Sequence, residues 1–267
     1  MSVVETPERH EKKAGLLVQL PVAPLLALSF LTVLPVPVPG SPGRLSMGWA
    51  VACFPLAGAL IGLGLAGMDF FLSPWFPPGV EAALLLAALL AVTGALHLDG
   101  FMDSFDGVFG GKDPASRRAI MKDSRVGSFG IAAAASALLM EYGSLASLPA
   151  GGKAEALILA VALSRWAMAA IMWFFPAAGS TGLAAGMKPE IHRVHVVVAT
   201  VLAVAIAAEI SGWAGWVMMV LSGVMVLLVG RLMVAKLGGI TGDSCGAVGQ
   251  LVEVLVLVAS VALVRQV

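Results

Sequence analysis

Three aspartates lie within one short polar segment that directly follows an apolar run. In HLDGFMDSFDGVFGG, residues 97–111, they are Asp99, Asp103 and Asp106. Their i, i+4, i+7 spacing places them on one face of a helix. Like charges repel at this spacing, so the arrangement is costly unless a cation lies among them. Mg²⁺ prefers oxygen ligands and commonly binds one or two carboxylates together with substrate phosphates. The segment therefore predicts a Mg²⁺ site, and a solvated acidic loop is the simpler alternative.

A basic segment, KDPASRRAIMKDSRVGSFG, follows at residues 112–130. Asp113 and Pro114 are typical of a helix N-cap and first helical position, and the helix is predicted to run to about Asp123. Three basic residues repeat the i, i+4, i+7 spacing, namely Arg118, Lys122 and Arg125. Carboxylates that hold a metal, opposite basic residues, suit a diphosphate substrate. Taken alone, the basic face is also explained by membrane topology or by contact with anionic lipid.

Two further sites carry polar groups beside apolar helices. The loop LGGITGDSCGAVGQ, residues 237–250, opens the last helix, where backbone N–H groups can hold an anion. Asp243 and Ser244 are therefore candidates for substrate binding, and a flexible turn is the alternative. Arg165 lies in an apolar helix, where an unpaired charge is costly. We expect it either to face a substrate cavity or to pair with an intramembrane acid such as Glu141.

The composition identifies the elements that must position these residues. Of the 267 residues, 59% are hydrophobic and 12% are charged, and the mean hydropathy is +0.97. Soluble domains have roughly 25% charged residues. We therefore predict an all-α, polytopic integral membrane protein in contact with lipid. The net charge of +0 gives no signal for nucleic acid, and two cysteines do not indicate a disulfide framework. No A-x-A cleavage site follows the polar N-terminus, so no removable signal peptide is expected.

About 20 apolar residues are needed to cross the hydrocarbon core. Seven stretches qualify, with loose bounds: 48–72, 80–97, 129–148, 154–176, 194–211, 213–234 and 247–264. The proline-rich stretch 16–38 is predicted to be re-entrant or interfacial, because proline breaks helices. We expect a polar tail at 1–15 and a single membrane domain at 16–267.

The positions of lysine and arginine predict the orientation. If residues 16–38 do not cross and the N-terminus is cytoplasmic, only Lys153 and Arg265 fall on the outer side. The aspartates and the basic segment then lie on the cytoplasmic side. A G-x-x-x-G motif at 58–62 predicts close helix packing. Whether two copies of the chain associate into a homo-oligomer stays open.

Several segments together resemble the adenosylcobinamide-GDP ribazoletransferase family, also called cobalamin synthases. The resemblance covers nearly all of the chain after the polar tail. It rests on FLTVLPVPVP (30–39), FPLAGALIG (54–62), the acidic segment, IMKDSRVGSFG (120–130), SRW (164–166) and GGITGDSCGA (238–247). Met102 and Ser104 replace a small residue and a threonine that are usual in the family's acidic motif, and Cys245 is also less usual.

The resemblance implies an enzyme of vitamin B12 assembly in the prokaryotic plasma membrane. Its substrates would be adenosylcobinamide-GDP and α-ribazole or its 5′-phosphate, with Mg²⁺ as cofactor. A ribose hydroxyl would attack phosphorus, GMP would leave, and adenosylcobalamin or its 5′-phosphate would form. On this basis Asp99, Asp103 and Asp106 would hold Mg²⁺ and diphosphate. One of them, or Asp123, would act as the general base, and the three basic residues would hold phosphate oxygens.

Two other classes of protein compete with this interpretation. CDP-alcohol phosphotransferases also carry aspartates at helical spacing, but DGFMDSFDG lacks their Ala-Arg pair and their longer Gly and Asp spacing. A transporter with an acidic cation site is the second alternative. Transporters commonly place their charges near mid-membrane on broken helices, whereas these charges are predicted at a helix end.

Overall fold

Helices follow the apolar runs because, in a bilayer, backbone polar groups must be hydrogen-bonded within the protein. The computed structural model describes residues 22–39 and 47–264, and within these ranges it contains no β-strand. The α-helices are α1 Val22–Leu31, α2 Met47–Ala52, α3 Phe54–Leu72, α4 Pro78–Thr93, α5 Leu96–Gly110, α6 Pro114–Ile120, α7 Ser128–Ser147, α8 Ala150–Phe174, α9 Leu183–Met187, α10 Arg193–Leu237 and α11 Gly242–Val264.

Five of the described helices, with the 45-residue helix α10 counted once, are long and apolar enough to cross a membrane. Helices α4 and α5 meet at 87°, and they would make a sixth span if together they cross the membrane as one broken segment. The prediction of a multi-pass helical membrane protein is confirmed. The predicted number of seven spans is not confirmed. The predicted span at 80–97 ends early, since α4 stops at Thr93 and the chain turns into α5.

The 45-residue helix α10 folds back on itself at Gly212, whose backbone is non-helical (φ 51°, ψ −123°). Trp166 of α8 is contacted from both sides of this point. Its indole N–H donates to Thr200 Oγ1 at 3.1 Å, and its ring also lies beside Gly223. The predicted helices at 194–211 and 213–234 are therefore the two arms of α10.

The proline-rich segment contributes only a short helix within the described residues. Helix α1 has ten residues, Val22–Leu31. At 1.5 Å per residue it is about 15 Å long, roughly half of the hydrocarbon core. Beyond it, Val33 N–H donates to the carbonyl of Val92 at 2.9 Å, which ties the segment to the end of α4. The predicted polar tail at 1–15 lies outside the described residues.

The G-x-x-x-G motif packs α3 against the central helix α8, as predicted. A β-carbon on Gly58 would overlap the backbone of Val161, and one on Gly62 would overlap the backbone of Ile158. Since the higher number on α3 meets the lower number on α8, the two helices are antiparallel. Near its end α8 carries Met168 and Met172, which lie close to the acidic segment, and near its start it carries Lys153, which contacts Asp69 of α3.

Lys153 forms a buried ion cluster at the end of the bundle away from the acidic segment. Its ammonium lies 3.2 Å from Asp69 Oδ1 and 2.6 Å from Glu81 Oε2, and all three side chains are almost fully buried. The cluster links α3, α4 and α8. Removing one partner would leave an uncompensated buried charge, which is strongly destabilising.

Replacement of Gly62 by valine is expected to destabilise the bundle by about 1–3 kcal/mol, because the side chain would be forced into the α8 backbone. Gly64→Val on the same helix is the matched control, since nothing lies within 4 Å of a β-carbon there. Thermal unfolding in detergent micelles measures the difference. Equal midpoints for the two variants would contradict the packing.

Candidate active site

Helix α5 carries the acidic segment, and a sharp turn sets its direction. Gly94 and Ala95 both have left-handed backbone conformations, with φ of 60° and 54°. Such a conformation is easy for glycine and costly for alanine. The turn bends the chain by 87°, so α5 leaves the line of α4. The prediction that Asp99, Asp103 and Asp106 lie on one helix is confirmed.

Helix α5 contacts the start of α11 backbone to backbone. A β-carbon on Gly100 would lie 2.9 Å from the Cα of Asp243, and one on Gly246 would lie 3.1 Å from the carbonyl oxygen of His97. This approach brings Asp243 next to the acidic face of α5. Asp99 and Asp243 line one small cavity.

Asp106 does not share that site. Its carboxylate accepts hydrogen bonds from the backbone N–H groups of Gly127 at 2.7 Å and Gly130 at 2.9 Å, and the residue is 6% exposed. It therefore caps the first turn of α7, where N–H groups lack helical partners. Within residues 22–39 and 47–264, no three acidic, histidine or cysteine side chains are grouped closely enough to hold one metal ion. The predicted metal cluster of three aspartates is therefore not formed.

A polar cavity of about 430 Å³ opens beside Asp243. Arg118 and Lys122 line one side of it, and the loop of residues 178–184 lines another. Three hydroxyl groups also line it, those of Ser180, Thr181 and Thr241. The loop was not predicted to be part of the site. Its residues 178–182, AGSTG, are rich in glycine and hydroxyl groups, and this is the signal that could have indicated it.

A smaller cavity of about 130 Å³ shares Asp243 with the larger one. Asp99, His97 and Asp243 form its polar wall. The opposite wall is apolar and includes three methionines, Met168, Met172 and Met187. Asp243 lines both cavities, as do Leu183, Ala184 and Gly242, so the two spaces adjoin along the starts of α9 and α11.

The three predicted basic residues do not all lie on one helix. The Asp113 N-cap is confirmed, but α6 ends at Ile120, so Lys122 lies beyond it. Arg118 donates to the carbonyl of Leu237, one of the last carbonyls of α10, and Arg117 donates to the carbonyl of Lys236 at 3.2 Å. Because the last carbonyls of a helix have no helical partner, these bonds hold α6 against the end of α10.

Arg125 and Asp123 bind each other instead of lining either cavity. Their salt bridge is 2.7 Å long, and the Arg125 side chain is 88% exposed. Hydrogen bonds from the Arg125 side chain and backbone lower the pKa of Asp123 to about 2. A carboxylate with so low a pKa is a weak general base at neutral pH. The structure therefore does not support the predicted roles of these two residues.

Two further candidates are engaged in internal contacts. Arg165 is 1% exposed, pairs with Glu253 at 3.0 Å and lines neither cavity. Arg165 therefore forms an intramembrane ion pair, which was the second of the two expectations, but its partner is Glu253 rather than Glu141. Ser244 is fully buried and exchanges hydrogen bonds of 3.1 Å with Thr241, each backbone N–H donating to the other's hydroxyl. The pair caps the start of α11.

The family model described as cobalamin-5-phosphate synthase matches residues 23–261, a range that includes both cavities. The chain belongs to the cobalamin-5-phosphate synthase family. Relatives named adenosylcobinamide-GDP ribazoletransferase include those of Stutzerimonas stutzeri (37% identical; 88% of this chain and 95% of the relative), Pseudomonas paraeruginosa (38%; 88% and 96%) and Herpetosiphon aurantiacus (37%; 90% and 96%). No solved structure matches the chain. As a cobalamin-5-phosphate synthase family member, the protein is a transferase of cobalamin biosynthesis.

Asp106→Asn is expected to lower the unfolding free energy by about 1.5–3 kcal/mol, because a buried charge-assisted hydrogen bond at the start of α7 is lost. Asp99→Asn on the exposed side of α5 is the control and should unfold like the wild type. Thermal unfolding in detergent micelles separates them. A wild-type midpoint for Asp106→Asn would show that its carboxylate does not hold α7 in place.

Proposed function

We propose that this protein is an adenosylcobinamide-GDP ribazoletransferase that acts on adenosylcobinamide-GDP and α-ribazole or its 5′-phosphate. The products are adenosylcobalamin, or its 5′-phosphate, and GMP. The observation that carries the proposal is the pair of adjoining cavities that share Asp243, the smaller lined also by Asp99 and the larger by Arg118 and Lys122. A reaction that joins two substrates through a phosphorus atom needs two adjoining spaces and cationic groups for the leaving phosphate. The names of the relatives supply the substrates.

The acidic side of the site fits Mg²⁺. Asp99 lines the smaller cavity, and Asp103, which lines neither cavity, lies one helical turn further along α5. Neither forms a salt bridge with any described basic residue. Two carboxylates together with substrate phosphate oxygens are a common ligand set for Mg²⁺. Asp99 and Asp103 would hold the ion. When bound, it neutralises charge on the diphosphate and draws electron density from its oxygens.

The remaining residues move the proton and receive the leaving group. The ribose hydroxyl oxygen of the acceptor forms a bond to the phosphorus that bears the cobinamide group. The bond from this phosphorus to the bridging oxygen of GMP breaks. The hydroxyl proton passes to Asp243, which lies where the two cavities meet. The negative charge of departing GMP is held by Lys122 and Arg118 in the larger cavity.

The site is placed on the cytoplasmic side of a prokaryotic plasma membrane in this proposal. The support is the distribution of basic residues. The segments around the larger cavity, at 112–125 and 188–193, carry seven of the eleven lysines and arginines that the structure describes, whereas Lys153 at the opposite end is buried in an ion cluster. Cytoplasmic loops are enriched in lysine and arginine. Soluble substrates made in the cytoplasm would reach this end directly.

Purified protein in liposomes is expected to convert adenosylcobinamide-GDP and α-ribazole 5′-phosphate to cobalamin 5′-phosphate and GMP with Mg²⁺, but not with EDTA. Asp103→Asn should lower the rate at least about 100-fold, because the variant loses a metal ligand. Asp123→Asn is the control and should stay near the wild-type rate. Chromatography of corrinoids and GMP provides the measurement.

Failure of the folded wild type to form product would overturn the proposal. Transfer to a lipid alcohol instead would identify a phosphotransferase of another kind. Solute flux without chemistry would identify a transporter. Full activity of Asp103→Asn would retain the reaction and remove the role of Asp103.

Lys122→Met is expected to raise the KM for adenosylcobinamide-GDP about 10-fold or more, because a charge-assisted hydrogen bond to phosphate is lost. Lys112→Met removes an exposed lysine that does not line the cavity and should leave this KM unchanged. Initial rates over a range of donor concentrations test the pair. An unchanged KM in both variants would place the phosphates elsewhere.

A further inference from the structure

The 130 Å³ cavity between α5, α8, α9 and α11 has an unusual lining. Apart from the two carboxylates at its edge, its polar side chain is His97, and the rest of its wall is apolar or sulfur-containing. Phe30 of α1 closes one side. Methionine thioethers pack favourably against aromatic rings, and Met168, Met172 and Met187 all face this space. The lining therefore favours a flat aromatic group over an aliphatic or highly polar one.

His97 is the group in this cavity that lacks a partner. The residue is 4% exposed, and neither ring nitrogen has a hydrogen-bond partner within the described part of the chain. Buried polar groups in folded proteins are nearly always hydrogen-bonded, and an unsatisfied one calls for an explanation. A neutral imidazole offers one N–H donor and one acceptor nitrogen. A bound molecule with a single ring nitrogen would satisfy the donor.

We propose that this cavity binds the aromatic base of the acceptor nucleoside and that His97 donates a hydrogen bond to a ring nitrogen of that base. The inference rests on the proposed function and adds the position of the acceptor. A cavity of about 150 Å³ is known to admit one small aromatic ring, so this space of about 130 Å³ takes one ring of the base, and the rest of the nucleoside lies outside it. The ribose of a nucleoside held here extends toward Asp243, where its hydroxyl is to be deprotonated.

Guanine, the other aromatic base in the reaction, fits this cavity less well. Its edge carries several donors and acceptors, and each would need a partner once buried. In the proposed reaction Asp99 binds the metal ion and Asp243 takes the proton, so His97 is the polar side chain left for a base. A benzimidazole base has one free ring nitrogen and an apolar rim, which need no further partner. The larger cavity, with Arg118, Lys122 and three hydroxyl groups, suits the phosphates of the donor. The two substrates would therefore lie in adjoining cavities that share Asp243.

The test compares His97→Leu, which removes both ring nitrogens, with His97→Gln, which keeps an N–H donor. In His97→Leu the KM for α-ribazole is expected to rise at least about 10-fold, because a buried hydrogen bond to the base is lost. The KM for adenosylcobinamide-GDP should stay within about 2-fold of the wild type. His97→Gln should restore most of the α-ribazole affinity, which loss of folding stability alone would not do. His195→Leu is the control, since His195 is equally buried but lies outside both cavities.

Binding of α-ribazole alone, measured by calorimetry on protein in lipid nanodiscs, separates this inference from the proposed function. Weaker binding to His97→Leu than to wild type and His195→Leu would support the inference, whether or not turnover is observed. An unchanged α-ribazole affinity and KM in a folded His97→Leu variant would overturn it and leave the proposed function intact. A rise in the KM for adenosylcobinamide-GDP alone would place guanine in the cavity and also overturn it. A wild type that neither turns over nor binds α-ribazole would remove both proposals.

Discussion

The close backbone contact between α5 and α11 is the constraint on which the candidate site depends. Gly100 faces the backbone of Asp243, and Gly246 faces the backbone of His97, with no side chain between the helices at either point. Because the contact is this close, carboxylates from two distant parts of the chain line the same small cavity. A larger residue at either glycine would separate the two helices and with them the acidic groups. Small residues at helix contacts serve this purpose widely in membrane proteins.

Charge is distributed so that buried pairs support the bundle and the remaining groups gather at one end. Lys153 is neutralised by two carboxylates at one end, and Arg165 is neutralised by Glu253 inside the bundle. Such pairs offset the cost of placing charge in an apolar environment. Among the described residues, Asp99 and Asp103 have no basic side chain within salt-bridge distance. This difference separates groups that hold helices together from groups able to receive a cation and substrate.

Local patterns in the sequence predicted much of the fold and part of the site. Apolar length predicted helices that cross a membrane, because satisfying the backbone in lipid leaves few alternatives. The i, i+4, i+7 spacing predicted that the three aspartates share one helix, and Asp113 with Pro114 predicted the start of α6. The G-x-x-x-G at 58–62 predicted close helix packing. Each of these inferences depends on residues close together in the chain, where helical geometry alone decides what they share.

The sequence by itself therefore determined the helical membrane class, the helix that carries the acidic residues and the resemblance to a family that the comparisons confirm. The tertiary structure alone decided which groups meet. It turned Asp106 toward the N–H groups of α7, paired Arg165 with Glu253, and brought the loop at 178–184 beside Lys122. These contacts join residues from about 20 to nearly 90 positions apart. Helical periodicity carries no information over such separations, because these contacts depend on how one helix packs against another.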